Sequence, residues 1–204
     1  MGSVFDKLGN EEIIRRINTL TPESQPLWGK MNVQQMLSHC QAPIDLAFGD
    51  LKLNELIKPC LITTYDINQR KSKFFCSHEA YTPLENFYVR DVCRATSAAP
   101  TYFEPAKIKS LYDQEFTLID GGVYANNPAM CAYAEARKIP FSKVLKDPNK
   151  RDYPDINDMV IVSIGTGEVL KPYTFEKFVN AGKIKWISPL IDILLSANAE
   201  TVNY

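Results

Sequence analysis

"FTLIDGGVYANNPAM", residues Phe116 to Met130, is the stretch on which the reading of the fold turns. An apolar run, Phe116 to Ile119, meets a single carboxylate, Asp120, and the glycines Gly121 and Gly122 follow. Asn127 then stands before Pro128, the order of an N-cap residue and the proline favoured at a first helical position, so a helix is expected over Pro128 to Lys138. Strand, tight turn and helix in that order are the parts of an α/β layer fold. In an open α/β sheet ligands gather at the carboxyl ends of strands, and Asp120 is expected as the first residue past such an end. Gly121 and Gly122 allow positive φ and close backbone approach. A carboxylate there can accept a proton from a nucleophile or orient a base. From spacing alone, a plain Asp-Gly-Gly turn is the commoner meaning.

Working outward, the chain divides into two textures. Residues after about Asn54 alternate strand and helix. Cys60 to Ile67 ("CLITTYDI") and "KFFCSH" flank the polar turn "NQRKS" and read as a hairpin. Asn86 to Ala95 has helical potential. Asp147 to Asp158 reads as a charged, proline-bearing loop, and Met159 to Ile164 ("MVIVSI") as a strand covered on both faces. Pro189 to Tyr204, with Ser188 as cap, reads as a further helix. The first fifty residues instead read as helical. Ile13, Ile14, Ile17 and Leu20 share a face of a helix over Glu11 to Leu20 that Asn10 can cap. Thr21 to Lys30, with Pro22, Pro26 and Gly29, is a loop. Val33 to Phe48 is a second helix that Pro43 should kink or divide and Gly49-Asp50 should end.

Composition bounds the partners. With 204 residues and a net charge of −1, the chain has room for a core but no nucleic-acid footprint, and its densest basic cluster, Arg70, Lys71 and Lys73, reads as a turn. No apolar run has the length of a membrane span, and Met1 to Asn10, which carries Asp6, has no apolar segment of a leader. Cys40, Cys60, Cys76, Cys93 and Cys131 are odd in number, without a C-x-x-C pair. That pattern fits reduced thiols and a cytoplasmic location, and it excludes a Cys-based zinc site of the usual spacing.

"VCRATSAAPTYFEP" (Val92 to Pro105) followed by "LIDGGVYANNPA" (Leu118 to Ala129) resembles the C-terminal half of the patatin-like phospholipases. "LIKPCLITTYDINQRKSKFF" (Leu56 to Phe75) and "VIVSIGTG" (Val160 to Gly167) fit the same family. The resemblance implies an incomplete three-layer α/β/α domain over residues 55–204 and hydrolysis of lipid acyl esters by a Ser-Asp dyad. Asp120 would be its acid, within the motif Asp120, Gly121 and Gly122. It implies a lipid or acyl-ester substrate and no cofactor or metal. A dyad needs no histidine, and His39 and His78 are the only two in the chain.

The family's serine sits in a G-x-S-x-G elbow and its oxyanion hole in a glycine-rich loop, and this sequence contains neither. Ser97 matches a packing position. Ser163 precedes Gly165-Thr166-Gly167, which lacks the lysine of a phosphate loop and reads as a strand-ending turn. Leu20 to Asp50 resembles instead the start of a DinB-like helical bundle, a superfamily in which His39 would match one of three metal ligands. The expected organisation is therefore a helical fragment, 1–54, joined near residues 51–55 to a patatin-like half, 55–204. Such a chimeric or truncated chain is expected to be inactive by itself. Its unpaired sheet edge would invite a partner strand or self-association.

Overall fold

The computed structural model describes residues 7–27, 29–165, 167 and 172–203. It divides into two compact units, Met1–Gly49 and Asp50–Tyr204.

The first unit holds helices α1 (Lys7–Asn18) and α2 (Val33–Phe48). α1 starts earlier than its apolar spacing suggests, so Asn10 lies inside the helix and not at its cap. α2 opens on a reciprocal capping box. The Gln35 N–H donates to Asn32 Oδ1 at 2.9 Å and the Asn32 N–H to Gln35 Oε1 at 3.1 Å, which satisfies two amides that the first turn leaves open. Pro43 removes a donor inside α2 but does not divide it. Gly49 closes the helix by donating to the Asp45 carbonyl at 2.6 Å, and a Cβ there would lie 2.3 Å from that oxygen. Among the residues of this unit whose burial is described only Gly9 is buried, and of the expected apolar face Ile14, Ile17 and Leu20 are exposed and Ile13 half-buried.

The second unit is mixed α/β. β1 (Leu61–Asp66) and β2 (Lys71–Cys76) form the expected hairpin, and β3 (Ala106–Lys109) and β4 (Glu115–Asp120) complete a sheet of order β2-β1-β4-β3. Every pairing is antiparallel, with Thr64 opposite Asp120 and Ile108 opposite Phe116. Short connections account for the β1–β2 and β3–β4 pairs, since a parallel pair would need a crossover of a dozen or more residues; β1 and β4 are far apart in sequence, and their pairing is set by which strands become neighbours. Lys71 and Lys73 belong to β2 and not to a turn. Lys73 Nζ sits 5.2 Å from the Phe116 ring centroid and 2.9 Å from Glu85 Oε2. The turn itself ends at Arg70, whose φ is 54°.

Helices lie on both faces of this sheet. α3 (Val89–Thr96) buries Val89, Val92 and Ala95 in one core with Phe75, Ile108, Phe116 and Leu118. Phe87 centres that core, meeting Phe75 edge-on at 4.8 Å and Phe116 at 5.6 Å. Alternation along the strands sends Tyr65 and Phe74 to the opposite face. There Tyr124 of α4 (Gly122–Ala125) meets them, tilted against Tyr65 at 6.2 Å and edge-on to Phe74 at 6.0 Å.

Beyond the sheet come α5 (Ala129–Ala136), α6 (Phe141–Val144), α7 (Phe175–Phe178) and α8 (Lys183–Asn203). A short 3₁₀ turn, Ile156–Asp158, interrupts the charged loop. α5 is shorter than expected and starts one residue later, with Pro128 at its cap. α8 starts before Ser188 and contains Pro189, whose ring is buried. The clearest departure is residues 159–164. They form no strand and pair with nothing among the described residues, and Val160 is 92% and Ile164 89% exposed. A strand covered on both faces needs neighbours on its edges and layers above and below, and the described residues supply neither. The Gly165-Thr166-Gly167 turn falls partly outside the described residues, and Met1 to Asp6 and Tyr204 lie wholly outside them. No helix among the described residues is long and apolar enough to cross a membrane.

Candidate active site

Asp120 is the last residue of β4. Its backbone is held from two sides, by pairing with Thr64 and by its N–H donating to the Ala98 carbonyl at 3.0 Å. Its Oδ1 accepts the Gly122 N–H at 2.8 Å, a local turn that fixes the carboxylate. Oδ2 makes no hydrogen bond among the described residues. The carboxylate lines a small cleft of ≈ 40 Å³ whose other walls include Ala99, Pro100, Val123, Leu194 and Leu195, all apolar.

The two glycines act through space and not through dihedral freedom. Gly121 has φ of −66°, and neither glycine adopts positive φ. A Cβ on Gly121 would lie 2.4 Å from the backbone carbonyl and the hydroxyl of Thr63, so only glycine lets the turn sit against β1. A Cβ on Gly122 would meet Asp120 Oδ1 at 3.2 Å and Leu195 Cδ2 at 3.1 Å, crowding the carboxylate itself.

Asn126 and Asn127 do more than cap a helix. Asn127 stands one residue before the cap, where its Oδ1 accepts the Ala129 N–H at 3.0 Å, while its Nδ2 donates to Asn203 Oδ1 at 2.9 Å. The Asn126 N–H donates to Asn198 Oδ1 at 3.1 Å, Asn126 Nδ2 donates to the Leu195 carbonyl at 3.1 Å, and Asn198 donates back to the Tyr124 carbonyl. These bonds dock α8 on α4 and make Leu194 and Leu195 walls of the Asp120 cleft. Tyr124 donates its hydroxyl to the Thr64 carbonyl at 3.2 Å, and burial, with Cys131 adding to it, pushes its phenol up to about 12.

No serine among the described residues completes a dyad. The Ser97 hydroxyl donates to its own helix, to the Cys93 carbonyl at 2.8 Å, as a packing residue would. Ser163 lies 3.4 Å from Asn127 Nδ2, on the exposed run, with no bond to Asp120. His39 is exposed on α2 and belongs to no cluster of metal-ligating side chains among the described residues. One such cluster exists elsewhere: donor atoms of Cys76, His78 and Glu135 lie within 4.8 Å of one another. Burial, reinforced by the Glu135 and Glu79 carboxylates, pushes the Cys76 thiol up to about 12. All five cysteines are free thiols. Little in the local sequence announces this cluster, because Glu135 stands 57 residues from His78 and C-x-H across a strand end is its sole local sign.

The family profile described as patatin-like phospholipase matches residues 14–133. The chain is 30% identical to Patatin-like protein 1 of Oryza sativa subsp. indica over 182 residues, covering 81% of this chain and 43% of that relative. It is 31% identical to Patatin-like protein 2 of the same plant over 171 residues, covering 76% of this chain and 42% of the relative. With Patatin-like protein 3 of Arabidopsis thaliana it shares 31% over 170 residues, covering 76% and 39%. The chain therefore spans about two fifths of the length of these curated relatives.

Proposed function

The chain belongs to the patatin-like phospholipase family, and from that premise we propose that its second unit carries the acid half of a Ser-Asp dyad for hydrolysis of lipid acyl esters. In this reading a serine attacks the ester carbonyl and Asp120 accepts the hydroxyl proton, then gives it to the alcohol that departs as the ester C–O bond breaks; the carboxylate so restored takes a proton from water as it attacks the acyl-enzyme and returns it to the serine as the acid is released. The observation that carries it is the state of Asp120. One oxygen is fixed by Gly122 and the other makes no bond among the described residues, beside a cleft with apolar walls. Gly121 and Gly122 serve by leaving that carboxylate uncrowded.

The sequence as given holds no G-x-S-x-G serine, so these residues alone are expected not to hydrolyse esters. Removing a nucleophile costs orders of magnitude in rate. We expect p-nitrophenyl ester turnover no faster than buffer and no covalent labelling by a fluorophosphonate probe. Stoichiometric labelling would overturn the inactive reading and identify a substitute serine, and its loss in an Asp120→Asn variant would retain Asp120 as that serine's proton acceptor.

One observation favours a second, non-catalytic reading, in which the chain is a chimeric or truncated remnant or a module that binds a lipid surface or a partner. Residues 159–164 present exposed apolar side chains, the kind of surface that seeks cover. Size-exclusion chromatography with circular dichroism tests this reading. It predicts self-association or a non-cooperative melt, and a monodisperse, cooperatively melting monomer would contradict it. The family match starts at residue 14, within the helical fragment 1–54, and so runs across the proposed junction near residues 51–55.

A further inference from the structure

We propose that Cys76, His78 and Glu135 form a binding site for one divalent cation of the zinc class, which clips α5 to the end of the hairpin. Cys76 closes β2, and the turn at residues 77–80 that follows brings His78 beside it. The turn that carries His78 is pinned, since the Ser77 N–H donates to the Cys60 carbonyl at 2.9 Å and the Cys60 N–H to Ser77 Oγ at 2.8 Å. Glu135 reaches in from the last turn of α5, its Oε1 lying 3.1 Å from His78 Nε2.

The donor set selects the metal. A thiol, an imidazole and a carboxylate together suit zinc, whereas calcium and magnesium take oxygen donors. Zinc bonds of about 2.0–2.3 Å place tetrahedral donors roughly 3.3–3.8 Å apart. The three donors already lie within 4.8 Å, so small movements of the Glu135 and His78 side chains close them on an ion. A fourth position is left for water.

His78 is held inside the cluster and not at its rim. The His78 side chain is 8% exposed, and its Nδ1 is buried with no hydrogen-bond partner among the described residues. A buried ring nitrogen without a partner costs free energy, and such an atom calls for a specific explanation. Nε2 is the nitrogen beside Glu135 Oε1, so it is the one that would take the cation, and Nδ1, on the other edge of the ring, would then carry the ring proton. The outer support is present as well: Lys138 Nζ holds Glu135 Oε2 at 2.8 Å, leaving Oε1 to face the site. The site stands apart from Asp120 and does not depend on the hydrolase reading.

The test uses the full 204-residue protein, reduced, tag-free and stripped with a chelator, then titrated with cobalt(II) as a spectroscopic stand-in for zinc. One equivalent is expected to bind with a thiolate-to-cobalt charge-transfer band and the d–d bands of tetrahedral cobalt, and zinc should displace it. Cys76→Ser should remove the charge-transfer band, and Glu135→Gln should weaken binding about 10-fold or more. Cys40→Ser, which alters the exposed thiol beside His39, should change neither. X-ray absorption on the unmutated zinc form reads the shell without relying on a variant's folding: one sulfur and three nitrogen or oxygen neighbours are expected. A protein that binds no cobalt, a charge-transfer band that survives Cys76→Ser, or a zinc shell with no sulfur or several would overturn the proposal.

Discussion

Residues 115–120 (EFTLID) and 159–164 (MVIVSI) are similar kinds of sequence with opposite fates. Both are short and rich in side chains that favour strands. The first becomes β4, flanked by β1 and β3 and covered by α3, with Leu118 fully buried. The second makes no ladder among the described residues and leaves Val160 and Ile164 almost wholly exposed. β4 alternates, so one face can be satisfied by a single helical layer. The later run is apolar on both sides and needs two layers. Apolarity records how much cover a segment requires, while the cover itself comes from residues distant in sequence.

The sharpest way to break this contrast is to attack the covered side. Phe87 is fully buried and is the ring that joins Phe75 of β2 to Phe116 of β4. Phe87→Ala removes those contacts and opens a cavity that the antiparallel sheet can only partly collapse, at a cost of about 3–5 kcal/mol. Domains of ordinary size are stable by about 5–15 kcal/mol, so a urea melt should show a large loss of midpoint or no folded baseline at all. A loss below about 1 kcal/mol would mean that the sheet is not the stable part of the unit.

How far the residues announced this structure follows from the range of the contacts involved. The hairpin was legible because alternation and turn residues are local, and β4 followed by the Asp120 turn was legible for the same reason. Strand direction was not, because the choice between parallel and antiparallel is made by which strands become neighbours. Asn126 and Asn127 read as helix punctuation, which half describes Asn127. Their bonds to Leu195, Asn198 and Asn203 of α8 span 69 to 76 residues and leave no mark in a short window. Asp120 stood out because carboxylate and glycines are adjacent, yet the reason for Gly121 lies in Thr63, on another strand. Residues 159–164 misled in the opposite sense: the pattern states a need for burial, and nothing local says whether it is met.

The uncovered side offers the finer test. Val162 is 74% exposed and touches no ladder among the described residues. Val162→Ala therefore removes little buried surface, and its effect on unfolding should stay within about ±0.5 kcal/mol, the range of ordinary surface substitutions. The same chemical change in a packed strand removes methyl groups from a core and costs more. A loss above about 1 kcal/mol at Val162 would therefore place the run under cover in solution, by another copy or by the chain itself. Set beside Phe87→Ala in the same buffer, the pair turns the structural contrast into a difference of two melting curves, and a null result at Val162 carries weight only if Phe87→Ala shows the large loss.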